Sequence, residues 1–528
     1  MRYSCRTIPG LPRFSPRQRW RGVGTFATDI LERPRDNKER VVILGSGWGG
    51  YTVSRKLSPR RFLPVVISPR SYFVFTPLLT DTAGGDLDFS HIVEPVRDPK
   101  IPLGFIQAAA RGIDLDRKVV LCEPTIVKSG VTLTHTEEDE GGSGVTDKWE
   151  SSETFEIPYD KLVISVGAIS RTFKTPGVKD NAIFFRDIGD SRRVRRRVRE
   201  CFELAILPTT SEEMRKHLLH FAIVGAGPTG TELAAALRDF IATDLITLYP
   251  ALDGLVQISL YDVAPKVLSM FDESLSRYAQ ETMKKEGIDV RTSHHIEDLR
   301  WGCPGAEPPY EKDPRSCLTL KTKEEGEVGV GMCVWVTGNA MNELISHSLR
   351  DVEVFPANSA IMKDETRAQD ASQRSWAYKK APRTGALLVD GHLRVQLEDE
   401  AGNTAVLQDV FALGDNAMLE HASPPATAQV TSQEAKWLSA RINHGDLEKS
   451  PPFSFRNMGT LAYIGNEKAL MQLPNEEGGY LPHKLTGRMA WLVWNSAYLT
   501  MTISWRNKLR VAFRWMLNRM FGRDISRY

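Results

Sequence analysis

Short apolar runs that close on glycine punctuate this chain, and two of them share one pattern. Residues 41–50 read VVILGSGWGG and residues 221–230 read FAIVGAGPTG. In each, an apolar run of strand length ends in GxGxxG, and the residues beyond it (51–57 and 231–240) have helical spacing. Two copies of strand, glycine turn and helix predict an α/β protein with two Rossmann-like dinucleotide-binding units. The physics of the spacing is specific. The first glycine permits a tight turn, the second lets backbone approach a pyrophosphate, and the third lets helix pack closely on strand. The helix start then offers free N–H groups and a positive dipole end to the phosphates.

Three further apolar runs, LVISVGA (162–168), VWVTGN (334–339) and VFALGD (410–415), end in small-residue turns. Strands that close in glycine mark places where backbone must approach a ligand or another segment, here at Gly167, Gly338 and Gly414. Their order predicts an interrupted first domain, residues 39–180 and 338–450, with a second domain, 181–337, inserted into it. Residues 451–528 form a separate C-terminal region. Polar inserts at 137–147, 301–316 and 357–384 read as surface loops. The run SRRVRRRVRE (191–200) places Val194 and Val198 four apart, so it reads as one helix with a wide solvated face. His294 and His295 stand without partners and read as surface loop rather than metal ligands.

Charge and cysteine content narrow the classes. Lys and Arg total 68 against 66 acids, a net charge of +2, which excludes a strongly basic nucleic-acid binder. Cys5, Cys122, Cys201, Cys303, Cys317 and Cys333 form no CxxC, so neither a disulfide scaffold nor a paired-thiol zinc site is expected. At the N-terminus Arg2, Arg6, Arg13, Arg17, Arg19 and Arg21 precede the first acid, Asp29; residues 1–38 read as a mitochondrial transit segment. Near the C-terminus residues 489–505 carry no charge. Arg506, Lys508, Arg510, Arg514, Arg519 and Arg523 follow, with Trp505, Phe513, Trp515 and Phe521 among them. Aromatic rings beside cations suit helices lying in a membrane interface, or a dimerisation helix with a basic face. No stretch of apolar residues reaches spanning length.

Together these motifs resemble the mitochondrial type II (alternative, non-pumping) NADH:quinone oxidoreductases, a family of two-dinucleotide flavoproteins. The residues carrying the resemblance are GSGWGG (45–50), SPRSYFVFTPLL (68–79), YDKLVISVGA (159–168), GAGPTGTELAAAL (225–237), VWVTGN (334–339) and FALGDNA (411–417). PPATAQVTSQEAKWL (424–438), TISWRNKL (502–509) and FGRDISRY (521–528) complete it. The resemblance implies non-covalent FAD on the first unit, at Gly45, Ser46, Gly47, Gly49 and Gly50. It also brings Thr76, Pro77, Gly167, Gly414 and Ala428 to the cofactor, with Asp415 on its ribityl or phosphate end. An acid about 20 residues past the glycines would hold the adenosine ribose, but the strand FLPVVIS ends at Ser68; Ser68 or Arg70 is left for that contact.

NADH is implied on the second unit, at Gly225, Gly227, Pro228, Thr229, Gly230 and Gly338. Asp262, after the strand at 256–261, can accept ribose hydroxyl bonds and would repel a 2′-phosphate; its other reading is a turn aspartate before Pro265. Glu232 is placed near the nicotinamide by the family, or complements a helix start. Gln429 and Gln433, four apart on one face of a helix begun by Pro424 and Pro425, are placed near ubiquinone by the family; alone they read as surface glutamines. The expected activity is FAD-dependent oxidation of NADH with two-electron reduction of ubiquinone. The expected setting is the lipid surface of the mitochondrial inner membrane, on the matrix side, as a peripheral protein able to form a homodimer, with no nucleic-acid partner. Disulfide and sulfide:quinone reductases need reactive cysteines beside the flavin, which this spacing does not supply. A soluble reductase with another acceptor and an NADH-sensing flavoprotein are the competing readings.

Overall fold

The computed structural model describes residues 37–125, 154–362, 371–474, 482–502 and 504–523. The Arg-rich leader, the acidic insert at 137–147 and the end of the FGRDISRY motif lie outside them. The first glycine turn grows from the strand Glu39–Leu44, whose Val41, Val42 and Ile43 are fully buried. Apolar residues on both faces suit the middle of a parallel sheet. Phe62–Ile67 lies parallel on one side and Lys161–Ile164 on the other. The next strand, Thr404–Ala412, comes from the far end of the chain and pairs in parallel with Lys161–Ile164.

Ala360–Met362, Trp376–Tyr378 and Arg394–Asp399 extend this sheet in antiparallel fashion. That corrects the reading of 357–384 as surface loop at residues 360–362 and 376–378; residues 363–370 lie outside the described ones. Trp376 is buried there, its indole N–H donating to the Ala371 carbonyl at 2.8 Å. The polar flanks of SWAY (375–378) hid a short alternating strand.

A second sheet of five parallel strands is built from residues between these segments. Its order is Ile183–Phe184, Met332–Trp335, His220–Val224, Gln257–Asp262 and Ile288–Thr292. Two segments cross between the sheets, Ala168–Ser170 and Asn339–Met341, and pair antiparallel as they pass.

Helix α1, Trp48–Lys56, follows the first glycine turn. The Arg-rich run forms α2, Ile188–Ala205, capped by Asp187 with Val194 and Val198 on its buried face, as the spacing predicts. The second glycine turn leads into α3, Pro228–Phe240. Helix α4, Ala428–His444, packs along α1. Its start differs from expectation: Thr427, not a proline, caps it, accepting the Val430 N–H at 3.4 Å. A side-chain acceptor satisfies a free N–H of the first turn, which proline cannot do.

The C-terminal region is a small antiparallel sheet, Thr460–Gly465, Lys468–Gln472 and Lys484–Thr486, followed by α5, Gly487–Met501, and α6, Trp505–Phe521. Thr460–Gly465 packs on α3. Polar anchors fasten α6 and the turn after it to the body. Asn507 donates to the Val93 carbonyl at 2.9 Å and to Glu94 at 3.0 Å. Asn518 donates to the Asp86 carbonyl at 2.7 Å. Arg523 grips Asp86 through two bonds, 2.7 and 3.1 Å, and Asp244 through a third, 2.7 Å. Among the described residues no helix is long and apolar enough to cross a membrane.

A planar guanidinium holding two acids is a strong, directional tie. Arg523→Ala is expected to cost about 2 kcal/mol, the scale of charged hydrogen bonds. Hydrogen exchange should accelerate in α6 first, with the two parallel sheets unchanged.

Candidate active site

The two glycine turns repeat one geometry. Gly45 and Gly225 have φ of +103° and +115°, conformations that disfavour a side chain. A Cβ on Gly50 or Gly230 would run into the carbonyl oxygen of Gly45 or Gly225, so each helix lies directly on its strand. The middle glycines are the reverse case. Gly47 and Gly227 have ordinary extended backbone and nothing within 4 Å of where a Cβ would stand. Neither helix start has a side-chain cap. Two open cradles of free backbone N–H groups result, a fit for the pyrophosphates of FAD and of NADH. Gly49 packs against Ser165 and Leu413, Pro228 opens α3, and Thr229 stands exposed beside it.

Ser46 braces the first turn. Its hydroxyl lies 3.0 Å from Ser68 Oγ and from the carbonyl oxygens of Arg70 and Tyr72. Ser68 also accepts the Arg70 N–H at 3.2 Å, and the Arg70 guanidinium pairs with Asp187 at 3.2 Å. Both side chains considered for the ribose are thus engaged within the protein. Thr76 accepts the Trp48 indole N–H at 3.0 Å, which sets it and Pro77 beside the first cradle.

The crossing strands bring the remaining glycine ends together. Gly167, Gly338 and Gly414 all have positive φ, between 69° and 79°. Asn416 ties the first of them to the sheet: it accepts the Gly167 N–H at 3.1 Å and donates to the Ile164 carbonyl at 3.1 Å. Arg186 donates to Ser170 Oγ at 2.9 Å and to the carbonyls of Ala168 and Gly338 at 3.3 and 3.1 Å. Asp415 stands near it; burial pushes its carboxyl up, and the Arg186 charge draws it back. Glu434 accepts the Gly414 N–H at 2.8 Å. Burial pushes its carboxyl up to about 7, with the charge of Asp415 adding to the shift.

Of these groups, Gly414, Asp415 and Glu434 line a cavity of about 630 Å³. Its walls are the crossing strands, Gly414 and Asp415, and the start of α4 from Thr427 to Glu434. Ala428 is the first residue of α4, so the positive end of the helix lies at this cavity. Arg186, Asn416 and Glu434 are absent from the sequence reading. Glu434 had a signal, a lone acid on the buried stripe with Val430 and Leu438; Asn416 had only its place next to Asp415; Arg186 had none.

At the second cradle the Asp262 carboxylate accepts the N–H groups of Ala226 at 2.5 Å and Ala264 at 2.8 Å. It is the last residue of its strand rather than the first beyond it. Gln429 and Gln433 share one face of α4, and each amide both donates and accepts. Gln429 binds the Gly459 carbonyl and the Met458 N–H, both at 3.1 Å. Gln433 binds the carbonyl and N–H of Arg456 at 2.8 and 3.0 Å. They hold the 456–459 segment of the C-terminal region against the helix.

Glu232 faces the same region. It accepts the Tyr463 N–H at 3.2 Å with the Trp494 indole beside it, and burial pushes its carboxyl up to about 8. The folded protein therefore keeps a proton that the unfolded chain releases near 4.5. Stability from this group falls as pH rises between those values, by about 1.4 kcal/mol per pH unit. Glu232→Gln is expected to flatten that slope in denaturant midpoints taken from about pH 5 to about pH 8.

Comparison with known proteins agrees with this geometry. The pyridine nucleotide-disulphide oxidoreductase family matches residues 39–371, and the NDH2 C-terminal domain matches 457–524. A probable NADH dehydrogenase of Dictyostelium discoideum is 34% identical over 94% of this chain and 94% of its own. An external alternative NADH-ubiquinone oxidoreductase, mitochondrial, of Yarrowia lipolytica is 30% identical over 94% of this chain and 83% of its own. The fold matches NDH2 from Plasmodium falciparum in complex with NADH, with a TM-score of 0.72 and 22% identity, over 93% of this chain and 100% of that one. The extent of the family match and of the Dictyostelium and Yarrowia relatives shows that the chain belongs to the type II NADH dehydrogenases, within the pyridine nucleotide-disulphide oxidoreductase family.

Proposed function

We propose that the protein holds FAD non-covalently on the first glycine cradle, oxidises NADH held on the second, and passes two electrons to ubiquinone. It does so at the mitochondrial inner membrane, on the matrix face, without pumping protons. The observation that carries this reading is the pair of open glycine cradles, together with a cavity at the strand crossing lined by both parts of the interrupted first domain and the start of α4. FAD supplies the hydride and electron chemistry when bound. The chain's own groups bind and orient. The Gly47 and Gly227 cradles would take the pyrophosphates, and Asp415 would hold the ribityl or phosphate end of FAD. The start of α4 at Ala428 offers positive dipole to negative charge on the ring. The Asp262 carboxylate disfavours a 2′-phosphate and so selects NADH over NADPH. The division into a cofactor domain (39–180 and 338–450), an NADH domain (181–337) and a membrane and dimerisation region (451–528) is part of the proposal.

The C-terminal region supports membrane docking. Trp505, Leu509, Phe513, Met516 and Met520 are at least half exposed and recur at helical spacing on α6. Met489, Leu492 and Met501 add exposed apolar surface from α5. Arg506 and Arg519 extend into solvent nearby. An apolar stripe edged by arginine fits an acyl boundary below anionic headgroups. Gln429 and Gln433 tie this region to α4, so a lipid-soluble quinone would enter beside the cofactor cavity.

Anaerobic titration of the purified yellow protein tests the reading. NADH should bleach the flavin and a soluble quinone should restore its colour. Bleaching without recovery would point to another acceptor, and no bleaching would overturn the dehydrogenase. The cradles give a sharper check. A Cβ on Gly47 or Gly227 would have no protein atom within 4 Å. Gly47→Val should therefore leave the thermal midpoint of the flavin-free protein unchanged yet weaken flavin retention at least about tenfold. Gly227→Val should keep its flavin and raise the KM for NADH on a similar scale. Gly50→Ala, by contrast, should lower stability by about 1–3 kcal/mol, the cost of overpacking.

A further inference from the structure

Cys303 and Cys317 lie apart in sequence but meet in the NADH domain. The strands Ile296–Trp301 and Leu318–Thr322 pair antiparallel, with Trp301 opposite Leu318. The bond from the Gly302 N–H to the Cys317 carbonyl, 3.0 Å, continues the ladder by one rung. Cys303 therefore sits diagonally across from Cys317, and their Sγ atoms are 3.7 Å apart. The other described thiols are placed differently. Cys122, Cys201 and Cys333 are buried, with Cys122 and Cys201 resting on the carbonyl oxygens of Val120 and Gly331. Cys317 is buried as well, but Cys303 reaches partway to solvent. Among the described residues no third ligand joins the pair to make a metal site.

We propose that Cys303 and Cys317 form a reversible dithiol–disulfide site, oxidised by a small disulfide of the glutathione class, that closes the 304–316 loop of the NADH domain. Cys303 is the point of entry, because it alone of the two is open to solvent. Burial and the neighbouring sulfur push the Cys317 thiol up to about 12, which leaves it the second to react. The Cys303 thiolate attacks one sulfur of oxidised glutathione, forms a mixed disulfide and expels one glutathione thiolate. The Cys317 sulfur then attacks Cys303 Sγ, the mixed bond breaks and the second glutathione leaves. Two protons and two electrons pass from the protein, and one glutathione disulfide becomes two thiols.

The bond needs the sulfurs at roughly 2.05 Å. Gly302, at φ of +105°, precedes Cys303 and Pro304 follows it, so the approach is made by rotation of the two side chains with adjustment at Gly302. The loop so closed is also the landing point of α2. Arg197 donates to the carbonyls of Pro314 and Ser316, at 2.7 and 3.2 Å, and to that of Gly331 at 2.9 Å. Oxidation would therefore staple the segment that α2 holds through Arg197.

The test is a titration of the full-length protein, as purified, with oxidised glutathione, followed by peptide mapping without reductant. The expected product is a peptide pair linked through Cys303 and Cys317, lighter by two hydrogens and restored by dithiothreitol. Amide exchange across 302–317 should slow in the linked form. Cys317→Ser should stop at a single glutathione adduct on Cys303. Wild-type protein that stops at that adduct, or that keeps both thiols free under an oxidant that modifies an exposed model thiol, overturns the proposal. The wild-type map decides the matter even if the variant folds poorly.

Discussion

The structure depends on one close approach, made twice: a helix laid so near its strand that a glycine must face a glycine carbonyl. Gly50 over Gly45 and Gly230 over Gly225 leave no room for a methyl group. That contact fixes the direction of each helix. It also aims the uncapped N–H groups of the first turn into the space in front of Gly47 and Gly227. Packing and binding are two sides of the same turn: the third glycine is needed because the interior is full, the second because the exterior must stay empty.

The two units are joined by the strands that cross between them. Ala168–Ser170 and Asn339–Met341 run past each other where the chain leaves the first sheet and where it returns. Arg186 and Asn416 tie that crossing with bonds to backbone carbonyls and N–H groups, so the glycine ends cannot drift apart. Backbone acceptors make a durable brace, because they do not depend on neighbouring side chains. Buried carboxyls stand at both interfaces, Asp415 and Glu434 at this joint and Glu232 against the C-terminal region. Each is pushed toward its neutral form by loss of water.

The C-terminal region answers a different demand. Its inner faces are held by specific polar anchors, the glutamines of α4 and the bonds of Asn507, Asn518 and Arg523, while the outer face of α6 keeps its large apolar residues exposed. Exposed tryptophan, phenylalanine and methionine in one stripe are costly in water, and a lipid boundary removes that cost.

Local pattern was enough for the two strand–turn–helix units, the glycine ends of three further strands, the single Arg-rich helix and the unusual tail, because each is encoded by spacing within a few residues. Position relative to distant chain was not. Gln429 and Gln433 share a face by helical spacing, yet only the fold shows that the backbone of 456–459 occupies their amides. Ser68 and Arg70 stand near the first turn by sequence, but their bonds to Ser46 and Asp187 come only with the fold. Trp376 was hidden in a polar stretch, and Arg186 and Asn416 have roles created by strands that meet only after folding. The same holds for Cys303 and Cys317, joined by antiparallel register and by nothing in their spacing. Sequence periodicity reports what one element does with its own two or three turns. Which groups it meets is decided when sheets assemble and each buried polar atom must find a partner.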